Sequence, residues 1–199
     1  MSRVPFPDVT GRRLRAPSRT NFAGDGMASL GHASMNATNI TWKDLHEAAQ
    51  DFGVSPRAII SAAWGYVLYL YVTHECDNVA FDAVDADTCV AISFGPSLCR
   101  WEDPIAMVQL SEKAWLSDRH VQIHGPVLFV SAPDQDTQSA LSLAESTLSR
   151  TNSSLSLVFI AHQAHSSTSS SSSHPVALTL LASPSVHIHG SAMTQLAQV

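Results

Sequence analysis

The apolar run from Ile59 to Val72 limits what this chain can become more than any other segment. In and beside it, Ala58, Ile59, Ala62, Ala63, Tyr66, Val67 and Leu70 recur at helical spacing. A helix that is apolar on most of its faces belongs in the middle of a core. The run is about one core helix in length and falls short of the roughly 18 apolar residues that span a bilayer, so no membrane partner is expected. Ser55 stands as the N-cap of this helix, with Pro56 at its first position. Upstream, Thr41 is placed to cap a helix from Trp42 to Phe52 in which Trp42, Leu45, Ala48, Ala49 and Phe52 share one face. Gly53 then ends that helix as a C-terminal cap.

The rest of the chain alternates between the two periods. Val79 to Phe81 and Val90 to Phe94 read as short buried strands, the second broken by Gly95-Pro96. Asp103-Pro104 opens a helix from Ile105 to about Leu116, where Ile105, Val108, Gln109, Lys113 and Leu116 divide into an inner and an outer face. Val127 to Ser131, Leu155 to Ala161 and Val176 to Leu181 carry the β-branched and large apolar residues of strands. A last helix is read from Ser191 to Val199. Residues 1–36 follow neither period and are expected to be a disordered N-terminal arm, with order beginning near Thr38. Ser166 to Ser173, seven serines and one threonine, offers no apolar surface to bury and is expected to be a disordered loop.

Composition excludes several function classes. A net charge of -6, from 11 Lys and Arg against 17 Asp and Glu, leaves no broad cationic surface for a phosphate backbone, so nucleic acid is not an expected partner. Cys76, Cys89 and Cys99 are odd in number and lack a Cys-x-x-Cys spacing, which fits a reducing cytoplasmic compartment better than a disulfide framework or a zinc site. The Arg-rich first twenty residues have no apolar h-region for a secretory signal, and Asp8 with Pro5, Pro7 and Pro17 works against a transit peptide.

Ten histidines invite a catalytic or metal reading. His120 and His124 stand four apart, a spacing that puts two imidazoles on one face of a helix, but no Glu lies between them and Gly125-Pro126 follows at once. His162 and His165 precede the serine run, while His187 and His189 alternate with Val186 and Ile188 as an extended segment does. None has an acid nearby in sequence to orient it as a general base. No Gly-x-Ser-x-Gly elbow, phosphate loop or dinucleotide fingerprint occurs. Cys99 lies beside Arg100, a cation that lowers thiol pKa values, yet a small buried apolar role is the commoner one. The residues therefore predict an α/β domain with no catalytic, cofactor-binding or metal residues of its own.

The stretch Leu45 to Val84 resembles condensation domains of nonribosomal peptide synthetases. The resemblance is carried by Gly53-Val54-Ser55, Ala62-Ala63-Trp64, Leu68, Tyr71-Val72-Thr73 and Asp77-Asn78-Val79-Ala80-Phe81. Phe94-Gly95-Pro96-Ser97-Leu98-Cys99-Arg100 is similar to a later segment of that family, and His120-Val121-Gln122 to a His/Asn-Gln-Asp element. The sequence departs at Asp82, where the family has Gly, and at Asp85-Ala86-Asp87, which replaces a Ser-Gly-Arg. The resemblance implies an α/β, two-layer sandwich like one lobe of the chloramphenicol-acetyltransferase-like fold, here the C-terminal lobe over residues 37–199. Family members join two such lobes around a tunnel where carrier-bound thioesters form an amide bond. The His-His-x-x-x-Asp-Gly element of the other lobe has no counterpart, since no two histidines are adjacent in this chain. The expectation is a truncated condensation-type domain, inactive alone and needing no cofactor. Its partners by resemblance are an N-terminal condensation lobe or synthetase module and a phosphopantetheine carrier protein. The alternatives are a non-catalytic protein-interaction module of that descent and an unrelated domain that imitates it.

Overall fold

The computed structural model describes residues 31–71, 78–117, 127–149, 157–164 and 174–182. They form ten elements: β1 (Gly31–Thr41), α1 (Trp42–Phe52), α2 (Pro56–Tyr71), β2 (Val79–Val84), β3 (Cys89–Phe94), α3 (Pro104–Trp115), β4 (Val127–Ala132), α4 (Thr137–Ser149), β5 (Leu157–Gln163) and β6 (Pro175–Ala182). The six strands make one sheet in the order β1-β6-β5-β4-β2-β3. The central β2, β4 and β5 run parallel, and the flanking pairs are antiparallel.

The helix boundaries follow from local chemistry. Thr41 and Asp44 cap α1 reciprocally: the Thr41 side chain accepts from the Asp44 amide at 3.2 Å and the Asp44 carboxylate accepts the Thr41 amide at 2.8 Å. Gly53, at φ 65°, closes α1 in the left-handed conformation that a side chain would strain. At the start of α2 the Ser55 amide and hydroxyl both donate to Glu112 Oε2, at 2.9 and 2.5 Å, so α3 ties down the entry to α2.

Alternation along the strands sorts the core into two halves. Toward α1, α2 and α3 the sheet presents Phe81, Ile92, Phe94, Phe129, Phe159 and Leu180, which meet Trp42, Trp64 and Leu68. Trp64 stacks on Phe159 with ring centroids 4.2 Å apart. Toward α4 the sheet presents Val84, Leu128, Val130, Val158 and Ile160, which meet Ala140 and Ala144. β4 is buried at every position because helices cover both of its faces, which is why its sequence is a continuous apolar run.

The sheet and the α1–α3 layer form the expected sandwich, and α4 adds one helix against the opposite face. Three details differ from the sequence reading. The strand β1 begins at Gly31, inside the segment assigned to the arm, and is held by backbone pairing with β6 from Gly31↔Ala182 to Ala37↔Val176. The helix α4 follows Thr137, a stretch where the sequence shows no clear period. In α3 the buried residues are Met107, Ser111 and Trp115, whereas Ile105 and Leu116 are 53% and 69% exposed. That rotation is set by close contact with α2, where the Ser111 and Ser61 hydroxyls hydrogen-bond and Trp115 Nε1 donates to Ser61 Oγ at 3.3 Å. Residues 1–30, the serine run 166–173 and the segment 191–199 lie outside the described residues.

Candidate functional site

A cleft of about 260 Å³ opens beyond the carboxyl ends of the parallel strands β2 and β4, the place where open α/β sheets most often receive ligands. Its walls come from Trp42 and His46 of α1, Arg57 at the start of α2, Asp85 and Asp87 after β2, and Ser131 to Gln135 around the end of β4. β2 and β4 lie side by side, so their ends bring Asp85 and Ser131 to one rim.

Most of the polar groups here are engaged by the chain itself. Arg57 forms an ion pair with Asp85, the two side chains being 28% and 17% exposed, and its guanidinium carbon lies 4.6 Å from the centroid of the Trp115 ring. The other Asp85 oxygen accepts the amides of Asp87 at 3.0 Å and Thr88 at 2.7 Å, closing the turn between β2 and β3. His46 Nδ1 lies 2.7 Å from the Trp42 carbonyl. A carbonyl only accepts, so Nδ1 is the donor in this contact and the ring nitrogen left over is Nε2. Among the described residues no nucleophile is hydrogen-bonded to that nitrogen. A base without a positioned substrate proton or nucleophile performs no chemistry unaided.

Of the histidines singled out in the sequence, His162 is the described one, and it is a core residue. Its ring is buried, with Nδ1 2.9 Å from the Gln163 carbonyl and Nε2 3.0 Å from Thr179 Oγ1, while its own carbonyl accepts Trp42 Nε1 at 3.2 Å. His120, His124, His165, His187 and His189 fall outside the described residues, as does Cys76. Cys99 is 8% exposed, in keeping with the apolar role. Burial, aided by the charge of Asp82, pushes the Cys89 thiol up to about 11, away from reactivity. No group of three His, Cys, Asp or Glu side chains able to hold a metal occurs among the described residues. No described helix is long and apolar enough to cross a membrane.

The sequence reading missed His46, Arg57 and Asp134 as cleft residues, because nothing in their local spacing marks them. It noticed Asp85-Ala86-Asp87 only as a departure from a family pattern. A turn-forming Asp-x-Asp-Thr between two apolar strands was the available signal.

No family model matches the chain, and no curated protein matches its sequence. Solved structures match its fold. The condensation domain from the monacolin K polyketide synthase MokA aligns with 99% of this chain and 50% of its own, at 12% identity and a TM-score of 0.51. The complex of the X-domain and OxyB from teicoplanin biosynthesis holds a chain that aligns with 85% of this one and 43% of its own, at 10% identity and a TM-score of 0.53. The chain thus spans half or less of the length of these structures. At such identities the likeness is one of fold, and the fold is that of condensation-type domains.

Proposed function

We propose that this chain is the C-terminal lobe of a condensation-type domain of a nonribosomal peptide synthetase, and that it forms no amide bond until a second lobe supplies the catalytic histidine. The observation that carries the reading is the alignment of 99% of the chain with half of a condensation domain. Two further facts support it. The sequence holds no adjacent pair of histidines. In the cleft at the ends of β2 and β4 the Arg57 cation is matched by Asp85, and Glu112 is taken up by the entry to α2.

In this role the lobe acts on the acceptor side, helping to hold a carrier-bound thioester against a donor delivered to the other lobe. The test is binding. The chain is titrated against a panel of separately expressed N-terminal lobes carrying His-His-x-x-x-Asp-Gly, and against a phosphopantetheine-loaded carrier protein. A stoichiometric complex with such a lobe is the expected result, and failure with every lobe counts against the reading.

The exposed apolar residues favour a second reading. Phe52, Leu98, Ile105 and Leu116 are between 53% and 69% exposed, apolar side chains that another protein could cover. A non-catalytic interaction module of this fold would carry such a surface and still bind no carrier protein.

A further inference from the structure

We infer that the outer edge of β3 pairs antiparallel with the β3 of a second copy of this chain, about a two-fold axis at Ile92. Among the described residues β3 is the last strand of the sheet and pairs with β2 alone, at six consecutive positions without a bulge. Its sequence, Cys89 to Phe94, holds no charge, no proline and no glycine. Edge strands that stay solitary are usually protected by charge, proline or a bulge, because a bare row of amides and carbonyls recruits another strand. The opposite edge has such a device: the β1 register shifts between Ala37 and Thr41. β3 has none.

A copy of the same strand fits this edge by its side chains and by its charge. With Ile92 opposite its own counterpart, Val90 opposes Phe94 and Ala91 opposes Ser93. Val90, Ile92 and Phe94 stay on the face beneath the helices, where each is at most 1% exposed, and the small exposed Ala91 and Ser93 stay on the other face. No like charges meet within the strand pair. Beyond it, the acidic turn bearing exposed Asp87 approaches the partner copy's turn after Phe94, which bears exposed Arg100. Neither residue is in an ion pair among the described residues, and the two-fold axis makes the contact twice. Glu102, also exposed, is the competing charge on that turn. A two-fold pairing uses the β3 edge of both copies and closes at a dimer.

The test is sedimentation velocity on the 199-residue chain across the micromolar range. The wild type is expected to pass from one-copy to two-copy mass as concentration rises. A91K/S93K sets lysine against lysine across the axis and is expected to stay at one-copy mass with an unchanged far-UV circular dichroism spectrum. D87R, on an exposed turn, is expected to weaken the dimer, and D87R/R100D to restore it; this pair decides the matter if the lysines disturb the hairpin. A wild type that keeps one-copy mass throughout overturns the proposal. So do lysine variants that still dimerise, a charge swap without rescue, or a mass that grows past two copies.

Discussion

Replacing Gly65 by alanine tests the packing of α2 on the sheet at its tightest point. A Cβ at this position would sit 2.3 Å from Phe94 Cε2 and 2.5 Å from Cδ2, well inside van der Waals contact. The ring has little room to yield. Phe94 is fully buried, with Phe81 6.2 Å and Trp101 6.3 Å away between centroids. Overpacking a filled core costs about 1–3 kcal/mol, and so short a contact belongs at the upper end. Against this, alanine is favoured over glycine inside a helix by about 1 kcal/mol. The net expectation for Gly65→Ala is a loss of about 2 kcal/mol, or a fall in Tm of about 4–8 °C for a chain of this size. Urea unfolding with an unchanged m-value measures it. Phe94→Leu made in the Gly65→Ala background should cost less than in the wild type, since it removes the clashing edge. A Gly65→Ala protein as stable as the wild type, with additive double-mutant energies, would refute the reasoning by showing that the ring moves aside freely.

Other predictions concern charge and protonation. Asp85→Ala removes both the partner of Arg57 and the acceptor for two turn amides, and should cost about 2 kcal/mol in urea unfolding. Asp85→Asn keeps an acceptor for the turn and loses only the partly exposed ion pair, so it should cost about 1 kcal/mol or less, and equal losses would contradict this division. Hydrogen bonds from the Thr41 backbone and side chain hold the Asp44 carboxyl below its ordinary value of 3.8. Because that value is depressed on folding, its stabilisation is complete above the ordinary value and is lost as pH falls through the folded one. Asp44→Asn should therefore flatten the acid-side dependence of stability, and an unchanged slope counts against the cap. Cys89, raised to about 11, should alkylate slowly in the folded protein at neutral pH and speed up until the pH reaches that range, as peptide mass spectrometry can follow. A plateau near the ordinary thiol value contradicts the burial argument.

Much of the α1–α2 segment was legible because its signals are local. Thr41, Gly53 and Pro56 act through their own backbone and their near neighbours, so the caps and boundaries could be read without knowing the fold. The central strands were legible for another reason. β4 and β5 are covered on both faces, and their continuous apolar runs record that burial. What escaped was fixed by distant partners. The orientation of α3 depends on Ser61, fifty residues from Ser111, and on the indole of Trp115. β1 is a strand because β6 pairs with it from the far end of the chain. Among the described side chains of α4, the fully buried ones are the small Ala140 and Ala144, a weak apolar signal. The cleft was illegible for the same reason, since its residues converge from α1, α2 and the ends of β2 and β4. The condensation-type fold was nevertheless visible in the residues around Gly53-Val54-Ser55 and Ala62-Ala63-Trp64.

If this chain is the acceptor-side lobe proposed for it, it forms no amide bond by itself and contributes to one only when joined by a lobe bearing the histidine motif. Intact-mass spectrometry of carrier proteins loaded with donor and acceptor tests it directly, with the chain present alone, the second lobe alone, and both together. The account predicts transfer of the donor onto the acceptor carrier only in the combined reaction. Transfer by the chain alone would contradict it.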